Sequence, residues 1–353
     1  MKYNVGYQLR PDSDWIDAIV ANREHISEMY FAWGDMPNGR NSLPNTGKIE
    51  PWDAQRRQLD DIKRVHEAGV KLNMLFNANC YGAKSLSRAL YEQVGNAVDY
   101  VMTNFSTPVV TTTSPLIARF IHMNFEGVEV RASVNMDIGT ERGMDYVKDV
   151  YDSFYMQREY NRDFDRIERL SRWCKENGKG LYLLANSGCL NDCSAHVFHD
   201  NLVAHEADMR DYDNAFQFQG QCWHYLADES HRFSVLRDTS YIRPEDIHIY
   251  DQWFTSAKLA TRVSRNPMET LRAYVRGKYS GSLLNLMEPN HSGALYPVVL
   301  ENSKIEEGYG EHVLHCSKDC RNCDYCKRVF EKACVTLSDD GVVDISSGGG
   351  CGG

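Results

Sequence analysis

The chain has 353 residues, with 42% hydrophobic and 25% charged residues, which is the ordinary balance of a folded globular enzyme and exceeds a typical single small domain. Its net charge of −10 argues against loose, sequence-independent nucleic-acid binding, which needs a basic face, although it leaves room for a local basic patch. No apolar run approaches the ~20 residues needed to span a bilayer. Met1–Val5 has no apolar stretch of the secretory kind, so the expected location is the cytoplasm.

Strand and helix signals alternate along the chain. Strands are expected at Tyr3–Tyr7, Glu28–Trp33, Lys71–Asn77, Asp99–Thr103, Val128–Ser133, Phe154–Gln157, Leu181–Ala185 and Thr255–Ala260. Helices are expected at Asp12–Arg23, Trp52–Ala68, Ser85–Asn96, Ser114–Asn124, Thr140–Val150, Asp163–Asn177 and Asn266–Tyr279, with a further start at Arg243-Pro-Glu-Asp246. A long polar loop with Gly34, Pro37, Gly39, Pro44 and Gly47 separates the second strand from its helix. Eight strands alternating with helices predict an α/β fold, a TIM-like (β/α)8 barrel, over residues 1–290. A doubly wound sheet is the alternative, but no glycine-rich phosphate loop follows a strand.

In a (β/α)8 barrel, functional residues sit at the C-terminal ends of the strands. Those ends read Trp33, Asn77 and Cys80, Asn104, Asn135, Arg158 with Glu159 and Asn161, Asn186 with Cys189, and Arg262. Arg158, Glu159 and Arg262 either clamp a carboxylate or phosphate or order the rim as an ion pair. One connection, residues 188–254, is far longer than the usual loop and carries Cys189, Cys193, Cys222, His196, His199, His205, His224, His231 and His248. His196, His199, His205 and Glu206 are possible zinc ligands or pocket histidines. No His-Glu-x-x-His helix and no Gly-x-Ser-x-Gly elbow marks a peptidase.

A cysteine-rich region, 291–345, and a glycine-rich tail, 346–353, follow the barrel. Eleven cysteines in a reducing compartment are read as metal or cluster ligands before disulfides. Cys316, Cys320, Cys323 and Cys326 are spaced C-x3-C-x2-C-x2-C. The contiguous run resembles ferredoxin-type ligation of a 4Fe–4S cluster; structural zinc usually splits its ligands into two pairs and is the alternative. The first three also fit a radical-SAM pattern, but they follow the last barrel helix and Cys326 would fill the open iron. Cys189, Cys193 and Cys222 form a second set suited to a 4Fe–4S cluster at the barrel mouth, with Cys80 the expected fourth ligand. Buried free thiols are the plainer alternative, and Cys174 is read as a packed helical thiol. The tail, with Cys351, is expected to be flexible.

Asn186-Ser-Gly-Cys-Leu-Asn-Asp-Cys-Ser-Ala-His-Val-Phe-His199 resembles the Asn-x-Gly-Cys-Leu-x-x-Cys-Pro-x-Arg-x-x-His segment of the collagenase-like peptidases, peptidase family U-thirty-two. Ser240-Tyr-Ile-Arg-Pro-Glu-Asp-Ile247, Phe254-Thr-Ser-Ala-Lys-Leu-Ala-Thr-Arg262 and Tyr279-Ser-Gly-Ser-Leu-Leu-Asn-Leu286 are similar to three further segments of that family. Ser133, Asn135 and Arg158-Glu-Tyr-Asn161 fit as well. The resemblance covers about residues 1–290. It implies a TIM-like barrel holding an iron–sulfur cluster, in a family where several relatives act as oxygen-independent hydroxylation factors in ubiquinone synthesis or on RNA bases. It therefore implies a small-molecule or RNA-base substrate and an electron donor or paralogous partner subunit; peptidase activity and a non-catalytic electron-transfer role are the alternatives. Ser194 stands where the family has Pro, Ala195 and His196 stand around its Arg, and Ala260-Thr261 replace the Gly before Arg262, so the substrate does not transfer.

Overall fold

A computed structural model describes residues 1–34, 36–39, 50–209, 212–338 and 341–343. Most of the polar loop after the second strand, and the glycine-rich tail with Cys351, lie outside the described residues. Eight parallel strands close into a barrel in sequence order. They are β1 (Tyr3–Gly6), β2 (Ile26–Ala32), β3 (Lys71–Phe76), β4 (Val109–Thr112), β5 (Glu129–Ala132), β6 (Ser153–Tyr155), β7 (Gly180–Leu184) and β8 (Ser256–Leu259). Closure comes from β1 pairing with β8, Tyr3 opposite Ala257 and Val5 opposite Leu259. The TIM-like (β/α)8 architecture expected from the alternation is the observed fold.

The helices between strands are α1 (Asp14–Ala21), α2 (Pro51–Glu67), α3 (Arg88–Asn104), α4 (Pro115–Asn124), α5 (Glu141–Asp145) and α6 (Phe164–Glu176). Local chemistry fixes their starts. Ser87 accepts from the Leu90 amide, Ser114 from Ile117 with Pro115 in the first turn, and Asp163 from Arg166. Each helix lays an apolar stripe on the barrel, for example Ile167, Leu170 and Cys174 of α6.

One strand assignment is corrected. Residues 99–103, read as the fourth strand, belong to α3, because Leu90, Val94, Ala97, Val98 and Val101 form a single buried stripe at helical spacing. The fourth strand is instead Val109–Thr112, a β-branched run beginning just after Pro108. Asn104 therefore ends a helix, where its side chain donates to the Tyr100 carbonyl, and takes no part in the barrel mouth. The helix expected over 140–150 is only α5, and the turn at Arg243–Asp246 leads into a short 3-10 segment rather than an α-helix.

The strands alternate in the way a barrel requires. Val5, Met29, Phe31, Leu72, Met74, Val130, Phe154, Leu183 and Leu259 pack with the helices in the main core. The intervening positions face one another across the barrel and are largely polar. Arg131 is wholly buried and forks onto Glu28 at 2.7 and 2.8 Å, with Nε donating to Ser153 at 3.0 Å and a further bond to Glu129 at 2.7 Å. Asn73 donates to Glu28 at 2.9 Å, and the Arg131 guanidinium lies 3.6 Å from the Tyr182 ring centre. The buried charges are thus paired and hydrogen-bonded, the condition under which they are tolerated.

The connection after β7 holds α7 (His196–Ala204), α8 (Glu206–Met209), α9 (Gln221–Ala227) and α10 (Ser234–Arg237). Beyond β8 come α11 (Pro267–Arg276), α12 (Ser292–Leu295), β9 (Val298–Leu300), α13 (Tyr309–His315), α14 (Tyr325–Ala333), β10 (Cys334–Ser338) and β11 (Gly341–Val343). The last three strands make a small antiparallel sheet. Leu226, Val235 and Leu236 from the long connection share a second core with Leu283, Leu295, Val313, Val329 and Phe330. The long connection and the C-terminal region therefore stabilise each other. Among the described residues no helix is long and apolar enough to cross a membrane.

Candidate functional site at the barrel mouth

The end of β7 is pinned by Asn186. Its amide oxygen accepts from the Ala260 N–H at 2.6 Å and its NH2 donates to the Leu286 carbonyl at 2.9 Å, tying β7, β8 and the C-terminal region together. Gly188 follows in a position where a Cβ would fall 2.4 Å from the Pro289 carbonyl, and its own carbonyl is met by His291 Nε2 at 2.7 Å. Burial lowers the His291 pKa, so this ring is held neutral. The Asn-x-Gly pattern that precedes Cys189 is thus a backbone requirement.

At the mouth lies a polar cavity of about 70 Å³, bordered by Tyr30, Asn77, Asn135, Arg158, Asp200, Lys258, Arg262 and Glu288. Arg158 comes from the turn after β6, Lys258 from β8 and Arg262 from just beyond it. Lys258 Nζ lies 4.2 Å from the Tyr30 ring centre. A close approach shapes the other rim: a Cβ on Gly39 would fall 2.4 Å from the Asn135 amide nitrogen, while the Gly39 N–H donates to Asn77 at 3.0 Å.

His196 and Asp200 share one face of α7, four residues apart, with Nε2 3.2 Å from the carboxylate. Asp137 lies 3.8 Å from His196 Nδ1, and Arg158 contacts both His196 and, at 3.7 Å, Asp200. The hydrogen bond to Asp200 raises the His196 pKa against the opposing effects of burial and Arg158. Burial raises the carboxyl of Asp137 despite Arg158 and His196. Burial opposes the charge on Arg158, but Cys189, Asp200, Glu159 and Asp137 outweigh it and the guanidinium stays charged. The result is a linked set of two carboxylates, an imidazole and a guanidinium that can hold a proton next to the cavity.

Of the residues expected from sequence, Arg158, His196 and Arg262 are brought to the mouth. Glu159 is turned beside Arg158, and its buried Oε2 has no hydrogen-bond partner. His199 points elsewhere on α7 and meets the Phe218 ring at 5.2 Å. Asp200, Asp137 and Glu288 were not singled out from the sequence. The His196-x-x-x-Asp200 spacing on a helix is the signal that identifies Asp200.

The candidate ligand thiols fall into three places. Burial pushes the Cys222 thiol up, with Cys189 and Cys193 adding to the effect, and Cys189 in turn acts on Arg158. Cys80 lies in the turn after β3, where its sulfur accepts from the Gly82 N–H at 3.3 Å. Cys316, Cys320, Cys323 and Cys326 line one cavity with Phe233, Arg237 and His312. Burial, reinforced by the other three thiols against Arg162, pushes Cys326 up to about 11. A short path joins the first and third groups: Leu190 bridges to Thr239, Asn191 N–H donates to Asp238 at 2.6 Å, and Arg237 beside it faces Cys320.

Fold and site together define a (β/α)8-barrel protein with a charged mouth and two groups of thiols. No family profile matches the chain. It is 24% identical over 286 residues to the uncharacterized protease MJ1657 of Methanocaldococcus jannaschii, covering 78% of this chain and 81% of the relative. Among solved structures it is similar to the U32 peptidase Mk0906 (TM-score 0.47, 13% identity, covering 62% of this chain and 82% of the other). It is also similar to a GH113 β-1,4-mannanase (TM-score 0.38, 11% identity, 73% and 86%). At these levels the structural likenesses carry nothing about chemistry. In its Asn-x-Gly-Cys and Ile-Arg-Pro-Glu-Asp segments, and in its likeness to the relative from Methanocaldococcus jannaschii, the chain is similar to the collagenase-like family, the U32 peptidases.

Proposed function

We propose that this chain is a cytoplasmic iron–sulfur enzyme that carries out a redox modification of the oxygen-independent hydroxylation type at the barrel mouth. The observation that carries the reading is the electrostatic influence of Cys189 and Cys193 on Cys222, and of Cys189 on Arg158, which borders the mouth cavity with Asp200, Lys258 and Arg262. Cys316, Cys320, Cys323 and Cys326 are proposed to hold a second cluster. Among the described residues no three Cys, His, Asp or Glu side chains are close enough to grip a single metal ion. The contiguous spacing of four thiols that line one cavity supports a cluster over structural zinc, which usually splits its ligands into two pairs.

Cys189, Cys193 and Cys222 would hold the cluster, which would supply one-electron chemistry there. The chain's own residues do the rest. Arg158 and Arg262 orient an anionic or polar substrate, a small molecule or an RNA base. The His196–Asp200 pair holds or releases a proton at Nε2. The Leu190–Thr239 and Asn191–Asp238 contacts tie the segment after Cys189 to the segment that carries Arg237 beside the second thiol group. Anaerobic purification with iron and acid-labile sulfide analysis tests the reading; zinc without labile sulfide ends it.

A second reading, hydrolysis of peptide-type bonds, is supported by the protease name of the relative from Methanocaldococcus jannaschii. It requires a nucleophile that the mouth network does not supply.

A further inference from the structure

We propose that the cleft between α2 and α3 binds an uncharged purine base of the adenine type, as a ligand site separate from the barrel-mouth cavity. The proposal does not rest on the cluster reading, and the two cavities share no lining residue.

One wall of the cleft is Trp33 and Met36, just beyond β2. On α2 the lining residues are Trp52, Gln55, Arg56 and Leu59; on α3 they are Gln93, Asn96, Ala97 and Tyr100. Both sets are spaced i, i+3, i+4, i+7, which is one face of a helix, so two whole faces look at each other across the gap. α1 packs on α2 and α3 packs on α4, but α2 and α3 stand apart around about 570 Å³, the size of a small-molecule site.

The lining combines rings, carboxamides and one neutralised cation. Trp33 and Tyr100 have ring centres 5.5 Å apart at 53°, and Trp52 is 78% exposed, so its ring is open to a stacking partner. The carboxamides of Gln55, Gln93 and Asn96 have no hydrogen-bond partner among the described residues, whereas Gln58, on another face of α2, donates to the Ala32 carbonyl at 2.9 Å. The indole N–H groups of Trp33 and Trp52 are likewise without a partner among the described residues, while that of Trp15 donates to the Gly6 carbonyl at 2.9 Å. Arg56 donates to Asp53 at 3.0 Å, which cancels its charge. A single solvated carboxamide on a helix surface needs no explanation; three of them gathered with three aromatic rings around one cavity do. A planar heterocycle stacks on such rings, and a carboxamide pairs bidentately with the N6–N7 edge of adenine, accepting one hydrogen bond and donating the other. A phosphate or carboxylate would have to displace Asp53 from Arg56, and a hydrocarbon ring would leave the carboxamides unmet.

Isothermal titration calorimetry of the full chain, purified anaerobically, with adenosine tests the proposal. Adenosine is expected to bind one site per chain, and Trp52→Ala is expected to weaken binding at least about fivefold by removing one stacking partner. Purine riboside, which lacks the exocyclic amine, is expected to bind wild type about tenfold more weakly than adenosine, and that difference is expected to vanish in the double variant Gln93→Leu/Asn96→Leu. Trp52, Gln93 and Asn96 are exposed, so these variants are expected to unfold at the wild-type temperature. Asp200→Asn, at the mouth, is expected to leave adenosine affinity unchanged. No binding heat at millimolar adenosine overturns the proposal, and so does equal affinity in wild type and Trp52→Ala. Loss of binding in Asp200→Asn overturns it too, because the ligand then sits at the mouth. Equal affinity for adenosine and purine riboside overturns the carboxamide readout, and binding of cellobiose in place of adenosine overturns the purine assignment.

Discussion

Two charged networks are strung along this barrel, and they are made of the same residue types. Inside it, each guanidinium nitrogen of Arg131 meets an acceptor on Glu28, Glu129 or Ser153, with the Tyr182 ring beneath. At the mouth, Arg158, His196, Asp200 and Asp137 also touch one another, but Arg158 Nε and a carboxylate oxygen of Asp137 are buried without a hydrogen-bond partner, and the group borders a cavity. A saturated network rigidifies a core; one left partly unsatisfied beside a cavity is available to a ligand. The difference separates a structural role from a functional one where residue type alone does not.

Substitutions can break or sharpen this contrast. Arg131→Leu strands Glu28 in the barrel and is expected to cost about 3–5 kcal/mol, the loss seen when one partner of a buried pair is removed; chemical denaturation measures it, and a cost below about 1 kcal/mol would mean the interior network is dispensable. Asp200→Asn removes one acceptor from the mouth and is expected to cost about 1–2 kcal/mol while leaving the fold intact. If its cost matched that of Arg131→Leu, the mouth network would be structural too.

His196→Gln is expected to show a smaller and pH-dependent effect. The His196 pKa is raised in the fold by Asp200. The stabilisation is therefore fully present below the ordinary value of about 6.5 and fades as pH rises through the raised folded value. Denaturation midpoints of wild type and His196→Gln should differ most at pH 6 and converge at pH 9; a gap that grows with pH would reverse the assignment. The exposed Arg56–Asp53 pair, 3.0 Å apart, serves as baseline, with Arg56→Ala expected to stay within about 0.5 kcal/mol.

The mouth residues were legible because strand ends are read from alternation, and Arg158 and Arg262 fall just beyond them, while His196 is marked by the unusual length of the connection that carries it. The interior network was not legible: Glu28 and Arg131 lie 103 residues apart, and nothing local marks them as partners. Residues 99–103 were misread because five alternating positions of a helix look like a strand when the full stripe from Leu90 is not counted. The contiguous run Cys316–Cys326 announces itself by spacing. Cys189, Cys193 and Cys222 are joined only by the fold of the long connection, while Cys80, expected to join them because strand ends converge, lies in the turn after β3 with its sulfur accepting from the Gly82 N–H.

The central claim is that two thiol groups hold two iron–sulfur clusters, and metal content per chain tests it most directly. Iron and acid-labile sulfide should be present in equal amounts in anaerobically purified protein, each falling by about half in Cys193→Ser and again by about half in Cys323→Ser, while Cys80→Ser keeps the full content. Zinc with no labile sulfide, or full iron loss on Cys80→Ser, would contradict the account.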